Sequence, residues 1–230
     1  MNPSQNPIFV ALDVPDKSAA LSLIEQLRPH VGGFKIGLEL YLSEGKSVVE
    51  EIGAHQVFLD LKLHDIPNTV AGAMRVIAKL GVDITNVHCL GGLEMMQAAN
   101  DAVKSVNSST RLIGVTILTS HNQASLARLG LDGEPQIVVR RLARLAQEAG
   151  LDGVVCSPQE IAAVREECGT DFLLVTPGIR PAMAELGDQK RVLTPRQAVD
   201  LGANYLVVGR PITSSNHPAN AAQGIVQSLR

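Results

Sequence analysis

Tryptophan is absent from this 230-residue chain, and aromatic residues make up only 3% of it. Such a chain offers few flat side chains on which the bases of single-stranded nucleic acid could stack. It also lacks an excess of basic residues, since 20 Lys and Arg against 23 Asp and Glu give a formal net charge of -3. Neither nucleic acid nor an anionic membrane would be attracted electrostatically. We therefore expect a small-molecule substrate, with no nucleic acid and no membrane as partner.

Cysteine is scarce as well. Cys89, Cys156 and Cys168 have no Cys-x-x-Cys spacing, which indicates neither a disulfide framework nor a zinc site. The six histidines show no ligand spacing either, so we predict no metal. The chain begins without a basic region followed by an apolar core, and no apolar run approaches the length of a membrane span. These absences predict a cytoplasmic protein with reduced thiols.

Short apolar runs alternate with segments of helical periodicity along the whole chain. The predicted strands are residues 8–12, 33–37, 57–61, 84–87, 112–118, 153–156, 172–175 and 205–208. Helical patterns follow at 19–27, 40–52, 70–80, 93–103, 137–149, from 157, near 195–201 and at the C-terminus. Because the strands do not alternate with polar residues, both faces of a parallel sheet should be covered. We predict an α/β fold, a (β/α)8 TIM barrel that forms a single domain over residues 1–230.

Glycines mark the ends of several predicted helices. Gly81, Gly150 and Gly202 each fall just before a predicted strand, where the end of a helix favours a positive φ. A doubly wound open sheet is the alternative fold. The Gly-x-Gly-x-x-Gly expected after its first strand is missing, however, which favours the barrel.

The most informative stretch joins the third strand to the next helix and contains Asp60, Lys62 and Asp65 ahead of Pro67. In a regular strand Asp60 and Lys62 point to the same face and can form an ion pair. One interpretation is structural, with this ion pair followed by Asp65 as a helix N-cap. The other is functional, because ionisable groups in an apolar strand are costly to bury and functional sites tolerate that cost. We favour the functional interpretation, in which both carboxylates hold Lys62 protonated.

Polar residues gather at the predicted carboxyl ends of the strands, which is where TIM barrels carry their active sites. They are Asp13, Lys35, Asp60, Lys62, His88, Thr119, Ser157, Arg180, Gly209 and Arg210. Of these, Ser157 is explained by a capping box with Glu160. The polar stretch Thr119-Ser120-His121-Asn122-Gln123 could either contact a heterocycle or cap the next helix.

The last two strands end in residues suited to phosphate binding. Gly178 and Gly209 would let backbone N–H groups approach a phosphate, and Arg210 supplies a fork-shaped charge. Alternatively, the glycines only turn the chain and the arginine is solvated. The polar segment 183–191 is too long for an ordinary turn. It is either a lid, from which Gln189 would reach the phosphate, or a solvated loop.

Motifs spread over the whole chain carry a resemblance to a known family. They are Asp60-x-Lys62-x-x-Asp65-Ile66-Pro67-Asn68-Thr69, Leu12-Asp13, Phe34-Lys35-Ile36-Gly37, Leu118-Thr119-Ser120, Thr176-Pro177-Gly178-Ile179-Arg180, Asp188-Gln189 and Val208-Gly209-Arg210. In combination they resemble the orotidine 5'-phosphate decarboxylases. The resemblance implies conversion of orotidine 5'-phosphate to uridine 5'-phosphate and carbon dioxide without a cofactor or metal. This reaction is the last step of de novo pyrimidine nucleotide biosynthesis.

The resemblance also implies a role for individual residues. Lys62 would donate the proton, and Asp60 would lie beside the substrate carboxylate. Lys35 would join them and Asp65 in a network of alternating charge. Because this family forms its active sites at a homodimer interface, Asp65 and Thr69 would reach into the partner's site. The implied substrate contacts are Asp13 and Lys35 to the ribose, Thr119 and Ser120 to the pyrimidine, and Arg180, Gln189, Gly209 and Arg210 to the phosphate.

Two rival functions stay open from the sequence. A metal-assisted sugar-phosphate decarboxylase or aldolase on the same barrel would use the acidic pair of this motif to hold magnesium. Activity that survives a chelator would exclude this metal-assisted enzyme and favour the cofactor-free reaction. A non-catalytic barrel that binds a phosphate ligand would keep Gly209 and Arg210 but would not need charges in the third strand.

Overall fold

Eight parallel strands form a closed barrel in chain order in the computed structural model, which describes residues 6–53, 55–180 and 193–229. The strands are β1 Ile8–Leu12, β2 Gly33–Ile36, β3 Gln56–Leu63, β4 Ile84–His88, β5 Arg111–Val115, β6 Gly153–Val155, β7 Leu173–Thr176 and β8 Tyr205–Val208. Pairing of Ile8 with Leu206 joins β1 to β8 and closes the barrel. The predicted TIM barrel is therefore confirmed, and the open sheet is excluded.

Helices connect the strands and cover the outside of the barrel. They are α1 Lys17–Leu27, α2 Leu38–Glu44, α3 Ser47–Ile52, α4 Pro67–Lys79, α5 Leu93–Lys104, α6 Gln123–Arg128, α7 Pro135–Glu148, α8 Ile161–Cys168, α9 Pro195–Asp200, α10 Arg210–Thr213 and α11 Pro218–Gln227. Two short 3-10 turns, Cys89–Gly91 and Pro158–Glu160, follow β4 and β6. No helix in the described residues is long and apolar enough to cross a membrane.

Several element ends differ from the sequence prediction for identifiable reasons. The predicted helix 40–52 is two helices, because Gly45 has a φ of 63° that ends the first of them. Strand β5 ends at Val115 rather than at residue 118, because its partner β6 ends opposite it at Val155. The short helices α6 and α10 were not predicted. By contrast, the predicted positive φ is confirmed at Gly81, Gly150 and Gly202, with values of 73°, 78° and 107°.

The helix caps correct one interpretation made from the sequence and confirm another. The capping box at Ser157 is wrong, because its hydroxyl donates to the Glu160 carboxylate and makes no cap hydrogen bond to the backbone. The cap of α6 is Asn122, whose side chain accepts the Ser125 N–H at 3.0 Å. The alternative that the stretch 119–123 caps the next helix is therefore confirmed, and Asn122 rather than Thr119 or Ser120 is the capping residue.

The barrel interior is filled at its amino-terminal end. Phe9 packs edge-on against both Phe58 and Tyr205, with ring centroids 6.4 and 5.2 Å apart. Ile84, Ile113, Val175 and Val207 complete this inner cluster, while a larger core lies between strands and helices. Filling one end with apolar side chains leaves the carboxyl end of the strands as the open mouth of the barrel.

Candidate active site

A cavity of about 680 Å³ opens at the carboxyl ends of the strands. Most of the predicted site residues line it: Asp13, Lys35, Asp60, Lys62, Thr119, Ser120, Arg180, Gly209 and Arg210. Apolar side chains from the inner cluster and from β5 and β6 form its floor and one wall, among them Phe58, Val115 and Val155. The volume suits a small organic ligand with both an apolar and a strongly charged part.

Two lysines and two aspartates alternate along one side of the cavity. The Lys62 Nζ lies 2.7 Å from Asp60 Oδ1, and the Lys35 Nζ lies 3.6 Å from Asp60 Oδ2. Lys35 also donates to Asp13 Oδ1 at 2.9 Å. Adjacent strands supply these groups, because Lys35 is on β2 while Asp60 and Lys62 are on β3. The four charges therefore form one chain of opposite neighbours.

Asp60 is the most confined acid of this network, with 8% of its surface exposed. Burial alone would raise its pKa, but the ammonium groups of Lys35 and Lys62 and hydrogen bonds from Lys62 and Asn86 outweigh burial. The net effect is a pKa below the usual value of 3.8. Asp60 is therefore a carboxylate at neutral pH and keeps two cations in place.

Strand β3 is irregular where it carries this pair. Its register with β4 shifts between Leu59 and Leu63, and Lys62 has a φ of 51°. A positive φ is unfavourable for a residue with a side chain, and such residues are concentrated at functional sites. The predicted ion pair is present, but it arises from a bulged strand rather than from the regular alternation that the sequence suggested.

Sequence reasoning missed Asn86, which lies on β4 beside this bulge. Its side-chain Nδ2 donates to Asp60 Oδ1 at 2.7 Å, and its Oδ1 accepts the Lys62 backbone N–H at 2.7 Å. Asn86 is fully buried. An amide in an otherwise apolar strand was a usable signal, because buried polar groups need partners.

Asp65 and Thr69 do not line the cavity. Both are exposed, and the Asp65 carboxylate accepts the N–H of Ile66 at 2.6 Å. Helix α4 begins at Pro67 with Ile66 as its N-cap, so Asp65 as the N-cap is wrong. Among the described residues Asp65 forms no ion pair with Lys62, so the prediction that both acids hold this lysine does not apply within one subunit.

Two guanidinium groups stand at the opposite side of the mouth. Arg180 is 8% exposed, and burial first and the charge of Arg210 second lower its pKa. Both arginines line the cavity together with Gly178, which has a φ of 75°, and with Gly209 at the start of α10. Two like charges facing one cavity favour an anion between them. Gln189, predicted to reach the same anion, lies outside the described residues.

Two histidines stack near the lysine end. The rings of His64 and His88 are 5.6 Å apart, and burial lowers the pKa of His88, helped by His64, Lys62 and His121. The described residues contain no group of three or more His, Cys, Asp or Glu arranged to hold a metal ion. The lowered pKa therefore favours the uncharged form of the His88 imidazole close to the Lys62 ammonium group.

The barrel and its mouth define a TIM-barrel enzyme for an anionic small molecule, with a network of lysines and aspartates on one side of the cavity and two arginines on the other. The family model described as "Orotidine 5'-phosphate decarboxylase / HUMPS family" matches residues 6–225. The chain belongs to this family.

Known relatives agree with this assignment over nearly the full length. The chain is 53% identical to the orotidine 5'-phosphate decarboxylase of Nitrosococcus oceani, covering 95% of each chain. It is 51% identical to that of Halorhodospira halophila, covering 99% of this chain and 97% of the relative. Among solved structures, the orotidine 5'-phosphate decarboxylase of Lactobacillus acidophilus superposes with a TM-score of 0.86 at 37% identity, covering 98% of this chain and 99% of the other.

Proposed function

We propose that this chain is a carboxy-lyase that converts orotidine 5'-phosphate to uridine 5'-phosphate and carbon dioxide, the last step of de novo pyrimidine biosynthesis. One observation carries the proposal. The Lys62 ammonium is fixed 2.7 Å from a buried carboxylate and faces a cavity that also contains Arg180 and Arg210. A nucleotide carries its base at one end and its phosphate at the other, so it could contact Lys62 and the two arginines at the same time.

Lys62 is the proposed proton donor. When the bond between the ring carbon and the carboxylate breaks, carbon dioxide leaves and the electron pair stays on the ring carbon. A nearby ammonium stabilises this negative charge as it develops and then transfers a proton to the carbon. No redox partner is needed, because the electron pair of the broken bond accepts that proton.

Asp60 is proposed to lie beside the carboxylate of the substrate. Its lowered pKa keeps it negatively charged, so the two carboxylates repel each other before reaction. Loss of carbon dioxide relieves that repulsion, while Asp60 continues to hold Lys62 in position. Binding of the distant phosphate supplies free energy that keeps the reacting end in place.

The remaining proposed roles are those that the resemblance to the family implies. Asp13 and Lys35, joined at 2.9 Å, are proposed to contact the ribose hydroxyls. Thr119 and Ser120 are proposed for the pyrimidine. The proposed phosphate site consists of Arg180, Gly209 and Arg210, with Gln189 as a further contact from the segment outside the described residues.

We further propose a homodimer with shared active sites in the cytoplasm. Ile66, Thr69 and Val76 recur at helical spacing at the start and on one face of α4, and Ile66 and Val76 are 68% and 60% exposed. Large apolar side chains exposed on one face favour a protein partner. A second subunit on this face would cover them and would bring its Asp65 and Thr69 towards the site of the first.

One assay tests the reaction. Orotidine 5'-phosphate is added to the protein in the presence of a metal chelator, and the absorbance of the orotate ring is followed. We expect its loss with wild type. Complete inhibition by the chelator would favour the metal-assisted rival, and binding without turnover would favour the non-catalytic barrel.

The Lys62→Ala variant tests the residue that carries the chemistry. We expect kcat to fall by at least about 10⁴, because proton transfer and electrostatic stabilisation each contribute about 10²-fold or more. Binding of uridine 5'-phosphate should persist, since Arg180 and Arg210 are unchanged. The control is Lys46→Ala, which removes an exposed lysine paired with Glu50 at 3.9 Å and should leave kcat unchanged. Near-normal turnover by Lys62→Ala would refute the assignment.

A further inference from the structure

The bulge in β3 has a specific partner on the neighbouring strand. Leu59 pairs with Thr85 and Leu63 pairs with Val87, so residues 60–62 of β3 face a single residue of β4, Asn86. A strand with extra residues loses the ladder hydrogen bonds that its neighbour would otherwise provide. The extra residues include both Asp60 and Lys62, so the charged pair sits where the regular sheet cannot fix the backbone.

Asn86 supplies the missing interactions with its side chain. Its Oδ1 accepts the Lys62 N–H at 2.7 Å, which satisfies the backbone at the residue with a φ of 51°. Its Nδ2 donates to Asp60 Oδ1 at 2.7 Å. This orientation of the amide is required by both partners, because a carboxylate only accepts and a backbone N–H only donates.

The two hydrogen bonds act on different parts of the same pair. One fixes the rotation of the Asp60 carboxylate, so that Oδ1 faces Lys62 and Oδ2 faces Lys35 at 3.6 Å. The other fixes the backbone from which the Lys62 side chain departs. Asn86 is fully buried and does not line the cavity, so its effect on a bound ligand is indirect.

We propose that Asn86 is a positioning residue, whose single amide holds the Asp60 carboxylate and the left-handed Lys62 backbone in the geometry that proton transfer requires. This inference deepens the proposed function and rests on it. It assigns part of the rate to a side chain that contacts neither substrate nor reacting atoms.

Two substitutions separate the two hydrogen bonds. Asn86→Ala removes both the donor and the acceptor. Asn86→Asp keeps the shape and the acceptor for the Lys62 N–H, but it replaces the donor by a second acid against Asp60. If the donor matters, Asn86→Asp should be impaired at least as strongly as Asn86→Ala, although it is closer in shape to the wild type.

The readout is the split between kcat and KM in the decarboxylation assay. Misplacement of a catalytic group by about 1 Å can cost about 10²-fold in rate. We therefore expect kcat to fall by about 10²-fold in both variants, while KM and the affinity for uridine 5'-phosphate change by less than about threefold. Persisting nucleotide binding also shows that the variants are folded, and Asn86→Ser is the substitute if Asn86→Ala does not fold.

The control is Thr85→Val, one residue away on the same strand. Thr85 is equally buried, and its hydroxyl donates across the same two strands to the Leu59 carbonyl at 3.1 Å. Its side chain points away from the barrel interior, so its loss should lower stability and leave kcat within about twofold. Wild-type kcat in both Asn86 variants, or an equal loss in Thr85→Val, would overturn the inference.

The outcome is distinguishable from failure of the proposed function. If Lys62→Ala is inactive and the Asn86 variants are normal, only the positioning role is wrong. If Lys62→Ala itself keeps near-normal turnover, the assignment of the proton donor fails first.

Discussion

Asp60→Asn should destabilise the protein although it hardly changes the shape of the side chain. The carboxylate stands between the Lys62 Nζ at 2.7 Å and the Lys35 Nζ at 3.6 Å. Removing its charge leaves Lys35 with Asp13 at 2.9 Å, but leaves Lys62 with no acid within ion-pair distance in the described part of its own subunit. The substitution therefore leaves the Lys62 ammonium group without a nearby negative charge and close to the Lys35 ammonium group.

The size of the effect follows from burial. Removing one partner of a fully buried ion pair costs about 3–5 kcal/mol. The Lys62 side chain is 34% exposed, so water partly solvates its ammonium, and Lys35 keeps a second acid. We therefore expect a loss of about 2 kcal/mol in the free energy of unfolding, below the range for a fully buried pair. For a chain of this length that loss corresponds to about 4–8 °C in Tm.

Thermal unfolding of wild type and Asp60→Asn at one protein concentration measures this difference. Adding Lys62→Met to Asp60→Asn removes the orphaned ammonium and should recover at least about half of the lost stability. Asp60→Asn with the Tm of wild type would refute the reasoning. A double variant that is less stable than Asp60→Asn would show that the lost stability has another cause.

The pH dependence of the stability difference between wild type and Asp60→Asn tests whether the Asp60 side chain is charged. Because the pKa of Asp60 is lowered in the folded state, its contribution is fully present above the usual value of 3.8. That contribution is lost only as the pH falls through the lower, folded value. The stability difference between wild type and Asp60→Asn should therefore stay constant from about pH 7 to about pH 5 and narrow only in stronger acid. Narrowing already above about pH 5 would contradict the lowered pKa.

Two further predictions concern the subunit interface and the histidine pair. Mixing the inactive Lys62→Ala and Asp65→Ala proteins under conditions that exchange subunits should restore about a quarter of wild-type activity, because half of the dimers are hybrids with one intact site. No recovery despite exchange would contradict shared sites. Burial lowers the pKa of His88 below its usual value of 6.5 in the folded protein. The neutral imidazole therefore contributes its full stabilisation above pH 6.5, and this stabilisation is lost as the pH falls through the lowered pKa. His88→Gln should consequently show a smaller drop in Tm between about pH 7.5 and pH 5 than wild type, and an equal drop would refute this role.

The barrel could be predicted from the sequence because its signals are local. Each strand is an apolar run, each helix has its own periodicity, and Gly81, Gly150 and Gly202 mark helix ends within a few residues. The ion pair was also predictable, since Asp60 and Lys62 are two residues apart. For the same reason, the break at Gly45 was predictable in principle and was overlooked.

The irregular part of the site could not be derived in this way. Lys62 has a positive φ, and its backbone N–H donates to Asn86, which is 24 residues away in the chain. Which strands are neighbours can be deduced from the barrel order, but the shifted register between Leu59 and Leu63 cannot. Likewise, the sequence does not reveal that Asp65 is turned away from the Lys62 of its own subunit.

The aromatic floor of the barrel determines how molecules reach and leave the site. Phe9, Phe58 and Tyr205 fill the interior at the amino-terminal end, and the Arg111 guanidinium caps this end by donating to the Tyr205 hydroxyl at 2.9 Å. In the described part of the chain these packed side chains close the amino-terminal end of the barrel. The substrate and both products therefore pass through the same opening, at the carboxyl ends of the strands. The nucleotide product leaves along the route by which the next substrate molecule arrives.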